Sequence, residues 1–124
     1  MATTIESLIE EYARRYSAED VEGVTALCEA PFLAIREGVA IHLPDRTAVR
    51  EHFAAMMSAY RGKGAAVWLP VEIEPHQLGD YANFAIVRWN AKDESGTVLR
   101  DTRTTYHLLV GPGGWRVLSY TNHF

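Results

Sequence analysis

The strongest constraint on the fold is the second half of the chain, where four long segments alternate in the manner of β-strands. The stretches between them, LGD, DESG and GPGG, are short and suit hairpin turns. Long strands joined by tight turns form an antiparallel meander and not parallel β-α-β units. The predicted strands cover residues 65–77, 81–92, 97–110 and 115–123.

The first half of the chain is predicted to be mainly helical. Residues 4–16 place apolar side chains at helical spacing, and Ser17 is a candidate N-cap for a short second helix. A third helix is predicted within residues 44–62, capped by Asp45 or Thr47. Between the second and third helices, residues 32–43 read as two short strands that turn at Glu37-Gly38. The sequence therefore predicts an α+β fold with helices first.

Length and charge limit the classes of function. The 124 residues suit a single domain, 1–124, and 48% of them are hydrophobic. The net charge is −4 and no basic run occurs, so we expect neither a nucleic acid nor a membrane as partner. One cysteine, no secretory signal and no apolar stretch of about 20 residues predict a cytoplasmic protein.

Three segments carry a resemblance to a known superfamily. The order of elements through REGVAIHLPDRTAVREHF and the ending GPGGWRVLSYTNHF resemble the nuclear transport factor 2-like, or SnoaL-like, superfamily. LGDYANFAIVRW is similar to a strand of the calcium/calmodulin-dependent kinase association domain, which also carries an arginine there. The resemblance implies a cone-shaped fold: about three helices on a curved, mainly antiparallel sheet of four long strands and an early hairpin. It also implies a pocket on the concave face and homodimers through the convex face.

Alternation divides the residues of the last three strands between the two faces of the sheet. One set contains Arg88, Arg103, His107, Tyr120 and Asn122; the other contains Trp89, Tyr106, Leu108, Trp115 and Val117. The residues alone favour solvent for the polar set. The resemblance implies the reverse, because the positions matching Arg88 and Asn122 lie inside the pocket of the similar domain. The apolar set would then need a dimer partner to cover it.

On this assignment, Arg88 is the centre of a predicted ligand site. With Arg103 and His107 beside it, Arg88 could bind a carboxylate or an enolate-like oxygen through charge-assisted hydrogen bonds. The alternative is a structural salt bridge from Arg88 or Arg103 to Asp101. The other predicted ligand-binding residues are Asn90, Tyr120, Asn122, Trp68 and Phe84.

Three residues are candidates for catalysis. Glu37 lies close to where the similar steroid isomerases place a catalytic aspartate, and Tyr16 lies where a relative's tyrosine polarises the substrate oxygen. His107 would be the second titratable group. The alternatives are an exposed turn residue for Glu37 and a core aromatic for Tyr16. His52 is predicted to face solvent.

No metal site or nucleotide cofactor is predicted, because neither zinc-ligand spacing nor a phosphate-binding glycine loop occurs. The favoured hypothesis is a small-molecule-binding domain, with cofactor-free acid/base chemistry of the isomerase, cyclase or dehydratase type on a compact organic acid or ketone. The alternative is a non-catalytic binding or assembly module that dimerises through its sheet.

Overall fold

The computed structural model describes residues 4–123, which form three helices and six strands. The helices are α1 (Ile5–Ser17), α2 (Val21–Ala26) and α3 (Arg46–Gly62). The strands are β1 (Cys28–Arg36), β2 (Val39–Leu43), β3 (Val67–Leu78), β4 (Ala82–Lys92), β5 (Val98–Gly111) and β6 (Gly114–His123).

The six strands form one curved sheet in the order β2-β1-β6-β5-β4-β3. β3 to β6 make the predicted antiparallel meander, and β1 pairs with β2 as the predicted hairpin. β1 also lies parallel to β6, which joins the early hairpin to the meander and makes the sheet mixed. The predicted α+β fold is confirmed.

Local capping explains where the helices begin. Thr4 and Ser7 form a reciprocal capping box at α1, and Asp45 accepts from the backbone N–H of Ala48 at α3. The predicted cap of α2 was wrong: Asp20 caps it, whereas the Ser17 hydroxyl accepts a hydrogen bond from the Trp68 backbone N–H at 2.9 Å. Ser17 therefore ends α1 and ties it to β3.

The core lies between the helices and the concave face of the sheet. Its largest fully buried side chains include Leu8 and Ile9 of α1, Phe53 of α3 and Phe32 of β1. The sheet contributes the set that the resemblance had assigned to the convex side: Trp89, Tyr106, Leu108 and Val117 are all buried, and Trp115 packs against them. The predicted face assignment of β4 and β5 was therefore wrong.

A β-bulge in β6 explains why the alternation failed there too. Leu108 pairs with Val117 and His107 with Ser119, which leaves Leu118 without a partner across the strands. After this extra residue, each side chain of β6 lies on the opposite face from the one that strict alternation predicts. Val117 and Tyr120 are consequently both buried, although their spacing would place them on opposite faces.

Within residues 4–123, no helix has the length and apolar character needed to cross a membrane.

Candidate functional site

A cavity opens between α1, α3 and the concave face of the sheet. Its volume is about 60 Å³, within about 530 Å³ of empty space that includes its mouth. Because pockets for drug-sized ligands measure roughly 300–1,000 Å³, this cavity suits the compact end of a ligand. The lining residues are Tyr12, Tyr16, Arg36, Phe53, Tyr60, Trp68, Trp89, Arg100, Thr102, Thr104, Tyr106 and Asn122.

The walls of this aromatic cavity are mutually packed rings. Tyr12 stacks on Tyr16 with centroids 5.8 Å apart, and the edge of Tyr106 meets Tyr12 at 5.5 Å. Trp89 donates its indole N–H to the Tyr106 hydroxyl at 3.0 Å, so this buried polar pair is satisfied. Rings that are locked in this way hold the shape of the cavity without a ligand.

Arg36, the last residue of β1, brings a positive charge into the cavity. It shares the inward face of the strand with Phe32 and Ala34. Its Nη2 donates to the Tyr60 hydroxyl at 3.1 Å, and Tyr120 lies on the neighbouring strand β6. Burial lowers the pKa of Arg36, but interaction with the phenols of Tyr60 and Tyr120 outweighs it and leaves the pKa raised. Arg36 is therefore a cation, and the Tyr60 hydroxyl is one of its partners.

A second cation, Arg100 of β5, lies across the cavity mouth. Its guanidinium carbon is 5.2 Å from the centroid of the Tyr60 ring, and the Lys63 ammonium lies 5.8 Å from the same centroid. Tyr60 thus meets cations at both its hydroxyl and its ring. The described residues that line the cavity include two cations, Arg36 and Arg100, and none of these described residues is acidic.

His52 of α3 lies behind Arg36. Its Nε2 is 2.6 Å from the hydroxyl oxygen of Tyr120, and its ring packs against Phe53 with centroids 5.4 Å apart. The prediction that His52 faces solvent was wrong, since its side chain is half-buried. Burial, and secondarily the charge of Arg36, lowers the pKa of His52.

Burial keeps the phenols of the cavity protonated. It raises the pKa of Tyr12, Tyr16 and Tyr106 above the ordinary value of 10.0, and nearby tyrosines add to the effect on Tyr12 and Tyr16. These hydroxyls can donate hydrogen bonds to an oxygen of a ligand, but they are poor bases. The cavity is thus built to receive negative charge more than to abstract a proton.

A family model matches residues 3–124 and is described as an NTF2-like protein family, DUF6841, where NTF2 is nuclear transport factor 2. The chain belongs to this family. No curated protein sequence matches it significantly.

Solved structures share the NTF2-like fold at low sequence identity. An NTF2-like protein with a cystatin-like fold from Novosphingobium aromaticivorans has a TM-score of 0.75 at 20% identity, covering 95% of this chain and 77% of the other. A protein from Shewanella frigidimarina, provisionally named a ketosteroid isomerase, has a TM-score of 0.72 at 16% identity. The match covers 94% of this chain and 91% of the other. A protein from Thiobacillus denitrificans, provisionally named a calcium/calmodulin-dependent protein kinase type II association domain, has a TM-score of 0.73 at 16% identity. The match covers 98% of this chain and 95% of the other.

In this NTF2-like protein, Arg88 does not lie on the concave face. It lies on the outer face of the sheet, where it bonds Asp101 through two nitrogens at 2.9 and 2.7 Å and Glu72 at 2.9 Å. Glu72, Arg88 and Asp101 belong to adjacent strands, so the carboxylates flank the guanidinium. The hydrogen bonds to Asp101 are the main reason why the pKa of Arg88 is raised. The structural salt bridge, the alternative to a ligand site, is the arrangement observed.

The other predicted site residues divide between the two faces. Arg103, His107, Asn90 and Phe84 lie on the outer face with Arg88, and the Phe84 and His107 rings contact each other at 4.6 Å. Their predicted placement in the pocket was wrong, because the apolar set of β4 and β5 packs under the helices. Tyr16, Trp68 and Asn122 line the cavity, and Tyr120 lies behind it bonded to His52. Their roles in binding stay predictions.

Glu37 lies at the hairpin turn and outside the cavity lining. It is exposed, and its φ of 50° together with 78° at Gly38 fits the two-residue turn predicted here. The Glu37 carboxylate therefore faces solvent and is not brought together with the residues that line the cavity.

Sequence reasoning missed Arg36, Arg100 and Tyr60. A signal for both arginines was present: Arg36 alternates with Phe32 and Ala34, and Arg100 alternates with Thr104 and Tyr106. Arg100 would have been found if the apolar set of the last three strands had been taken as the inward one.

Proposed function

We propose that the protein binds a compact organic anion, a carboxylate being the simplest case, in the aromatic cavity. The observation that carries the proposal is a pair of arginines, Arg36 and Arg100, at a cavity walled by aromatic rings. Guanidinium groups bind carboxylates through charge-assisted hydrogen bonds, which are stronger where water is excluded. The aromatic walls would pack on the apolar part of the ligand.

Binding is better supported than catalysis. A cofactor-free isomerase needs a base near the reacting carbon, and the lining offers phenols with raised pKa in place of a carboxylate. The Shewanella frigidimarina neighbour provisionally named a ketosteroid isomerase shares the fold at 16% identity. That likeness concerns architecture, and function follows from the residues of the site.

The test is thermal stabilisation and calorimetry with acetate, propanoate, benzoate and the neutral analogue benzamide. We expect one or more carboxylates, but not benzamide, to raise the melting temperature of the wild-type protein. Arg36→Met should abolish the shift, whereas Arg88→Met, a matched change on the outer face, should preserve it. Equal stabilisation by benzamide, or equal loss in both variants, would refute the anion site.

We propose as a second, independent function that the outer face of the sheet is the contact surface of a homodimer. Phe84, which is 40% exposed, and Ile86 form its apolar centre. Glu72 and Glu74 of β3 lie on one side of this centre, and Arg103 of β5 lies on the other. A two-fold axis through the centre would bring Glu72 and Glu74 of one copy toward Arg103 of the next.

Sedimentation tests the dimer separately from the ligand. At micromolar concentration we expect a dimer for the wild-type protein and a monomer for Phe84→Glu, with far-ultraviolet circular dichroism unchanged. A wild-type monomer would overturn this proposal and leave the anion site untouched.

A further inference from the structure

The sheet side of the aromatic cavity carries a polar patch, called the polar floor below. It is formed by Thr102 and Thr104 of β5 and by Asn122 of β6, all of which line the cavity. Thr104 and Asn122 are direct partners across the two strands, and Thr102 precedes Thr104 by two residues on the same face. The walls include the rings of Tyr16 and Trp68. A ligand in the cavity would therefore meet both aromatic rings and the polar floor.

Thr104 fixes the orientation of the Asn122 amide. Thr104 is buried, and its hydroxyl donates to Oδ1 of Asn122 at 2.9 Å. This bond uses the acceptor of the amide and leaves the Nδ2 group, which can only donate. Among the described residues, none hydrogen-bonds Nδ2 of Asn122. The amide of this half-buried side chain is thus left with N–H donors for a molecule that occupies the cavity.

Thr102 supplies a complementary group. It is the diagonal neighbour of Asn122 across the strands, and such residues lie roughly 7–8 Å apart, close enough for one oxygen to hydrogen-bond both side chains. The Thr102 hydroxyl can donate or accept, and none of the described residues bonds it. A ligand hydroxyl can accept from Asn122 and donate to Thr102, whereas a ketone oxygen can only accept. A hydroxyl group therefore suits the polar floor best.

We propose that the polar floor recognises a hydroxyl group on the ring of the ligand, with Asn122 as the hydrogen-bond donor and Thr104 as the residue that positions it. The inference rests on the proposed function and narrows the ligand from a compact organic anion to an aromatic acid with a ring hydroxyl, such as a hydroxybenzoate. The recognition uses neutral groups and does not depend on the charge of the arginines. A ring without this hydroxyl would cover Nδ2 and leave its donors unpaired, which lowers affinity.

Matched benzoates test the proposal. Calorimetry at pH 7, where the carboxylates are ionised and the phenols are not, compares meta- and para-hydroxybenzoate with the methylbenzoates substituted at the same positions. A methyl group has a similar size but makes no hydrogen bond. We expect at least one hydroxybenzoate to bind about tenfold tighter than its methyl counterpart, the effect of one additional hydrogen bond. Equal affinities within both pairs would overturn the proposal and leave the anion site intact.

Two variants remove the donor and its positioning bond. Asn122→Leu should abolish the preference for hydroxybenzoate over methylbenzoate, and Thr104→Val should reduce it, because the amide is no longer held by a hydrogen bond. Thr105→Val changes the next residue, on the outer face, and should keep the preference. The readout is a ratio of two affinities in the same folded protein, which a general loss of stability does not alter. An unchanged ratio in Asn122→Leu would refute the role of Asn122.

A neutral probe separates this inference from the anion site. Nuclear magnetic resonance can follow the side-chain amide signals of Asn122 during titration with phenol, and with toluene as the apolar control. We expect phenol, but not toluene, to shift the signals of the Nδ2 protons. No shift with phenol or with either hydroxybenzoate would overturn the proposal even if benzoate binds. A shift with phenol together with no binding of any carboxylate would refute the anion site and support the role of Asn122.

Discussion

The two faces of the sheet each carry arginine side chains, but with different partners. On the outer face, Arg88 is held by two carboxylates, those of Asp101 and Glu72, and its charge is offset on the surface. On the concave face, Arg36 donates to the phenol of Tyr60. Both guanidinium groups are thus oriented by neighbouring side chains, carboxylates for Arg88 and a phenol among the described partners of Arg36.

This difference separates a structural arginine from a candidate binding arginine. Carboxylate partners remove the electrostatic attraction that an anionic ligand would feel, so a ligand would have to compete with Asp101 for Arg88. The Tyr60 phenol orients Arg36 without adding negative charge, in surroundings where water screens the guanidinium less. The partners of an arginine are therefore more informative than its presence in an apolar strand.

The largest expected difference in the free energy of unfolding is between substitutions of two phenylalanines, one on each face of the sheet. Phe53 is 1% exposed and contacts rings of Tyr12, Phe32 and Tyr120, whereas Phe84 is 40% exposed on the outer face. Phe53→Ala should lower the free energy of unfolding by about 3–5 kcal/mol through lost packing and a new cavity. Phe84→Ala should cost well under half of that. Urea denaturation measures both, and comparable losses would contradict the assignment of the core to the concave face.

The next effect concerns the buried hydrogen bond between Trp89 and Tyr106. Tyr106→Phe removes the acceptor of the indole N–H and leaves that donor unsatisfied inside the cavity wall. The free energy of unfolding should fall by about 1–3 kcal/mol. Thr105→Val, a neighbouring change on the outer face of the same strand, is the control and should have a smaller effect. If Tyr106→Phe is neutral in urea denaturation, the indole N–H has found another partner.

The fold was predictable because its signals are local. Turn residues between long alternating segments specify a meander, and helical spacing with Asp45 as a cap specifies α3. The parallel pairing of β1 with β6 was not predictable in this way, since it joins Leu33 to Ser119 across most of the chain. No short-range pattern records such a contact.

The site was less predictable, because alternation divides residues into two sets without saying which set faces inward. The resemblance gave the wrong choice for Arg88, whereas simple burial of Trp89 and Tyr106 would have given the right one. Tyr120 and Asn122 reached the concave face only because the bulge at Leu118 shifted their register. A bulge of one residue leaves little trace in the sequence.

A smaller effect is expected for Arg88 itself. Arg88→Met should lower the urea midpoint at pH 7 by less than Tyr106→Phe does, because the salt bridges are exposed. The hydrogen bond from Arg88 lowers the pKa of Asp101 below its ordinary value of 3.8, so the pair stabilises the protein above that pH. This contribution is lost as the pH falls through the lowered pKa. The midpoints of wild-type and variant proteins should therefore converge in acid, and a constant difference would mean that Asp101 is not the partner that matters.

The smallest effect is expected at the hairpin turn, where Glu37 holds a φ of 50°. Left-handed backbone is unfavourable for most side chains and easier for asparagine, so Glu37→Asn should raise the free energy of unfolding by about 0.5 kcal/mol. Because Glu37 lies outside the cavity lining, the same variant should bind carboxylates as the wild-type protein does. Asp45→Ala should change the stability in the opposite direction, because loss of the α3 cap should lower the free energy of unfolding by about 1 kcal/mol. If Glu37→Asn lost carboxylate binding while its stability stayed intact, Glu37 would contribute to the binding site, and the site would extend from the cavity to the hairpin turn.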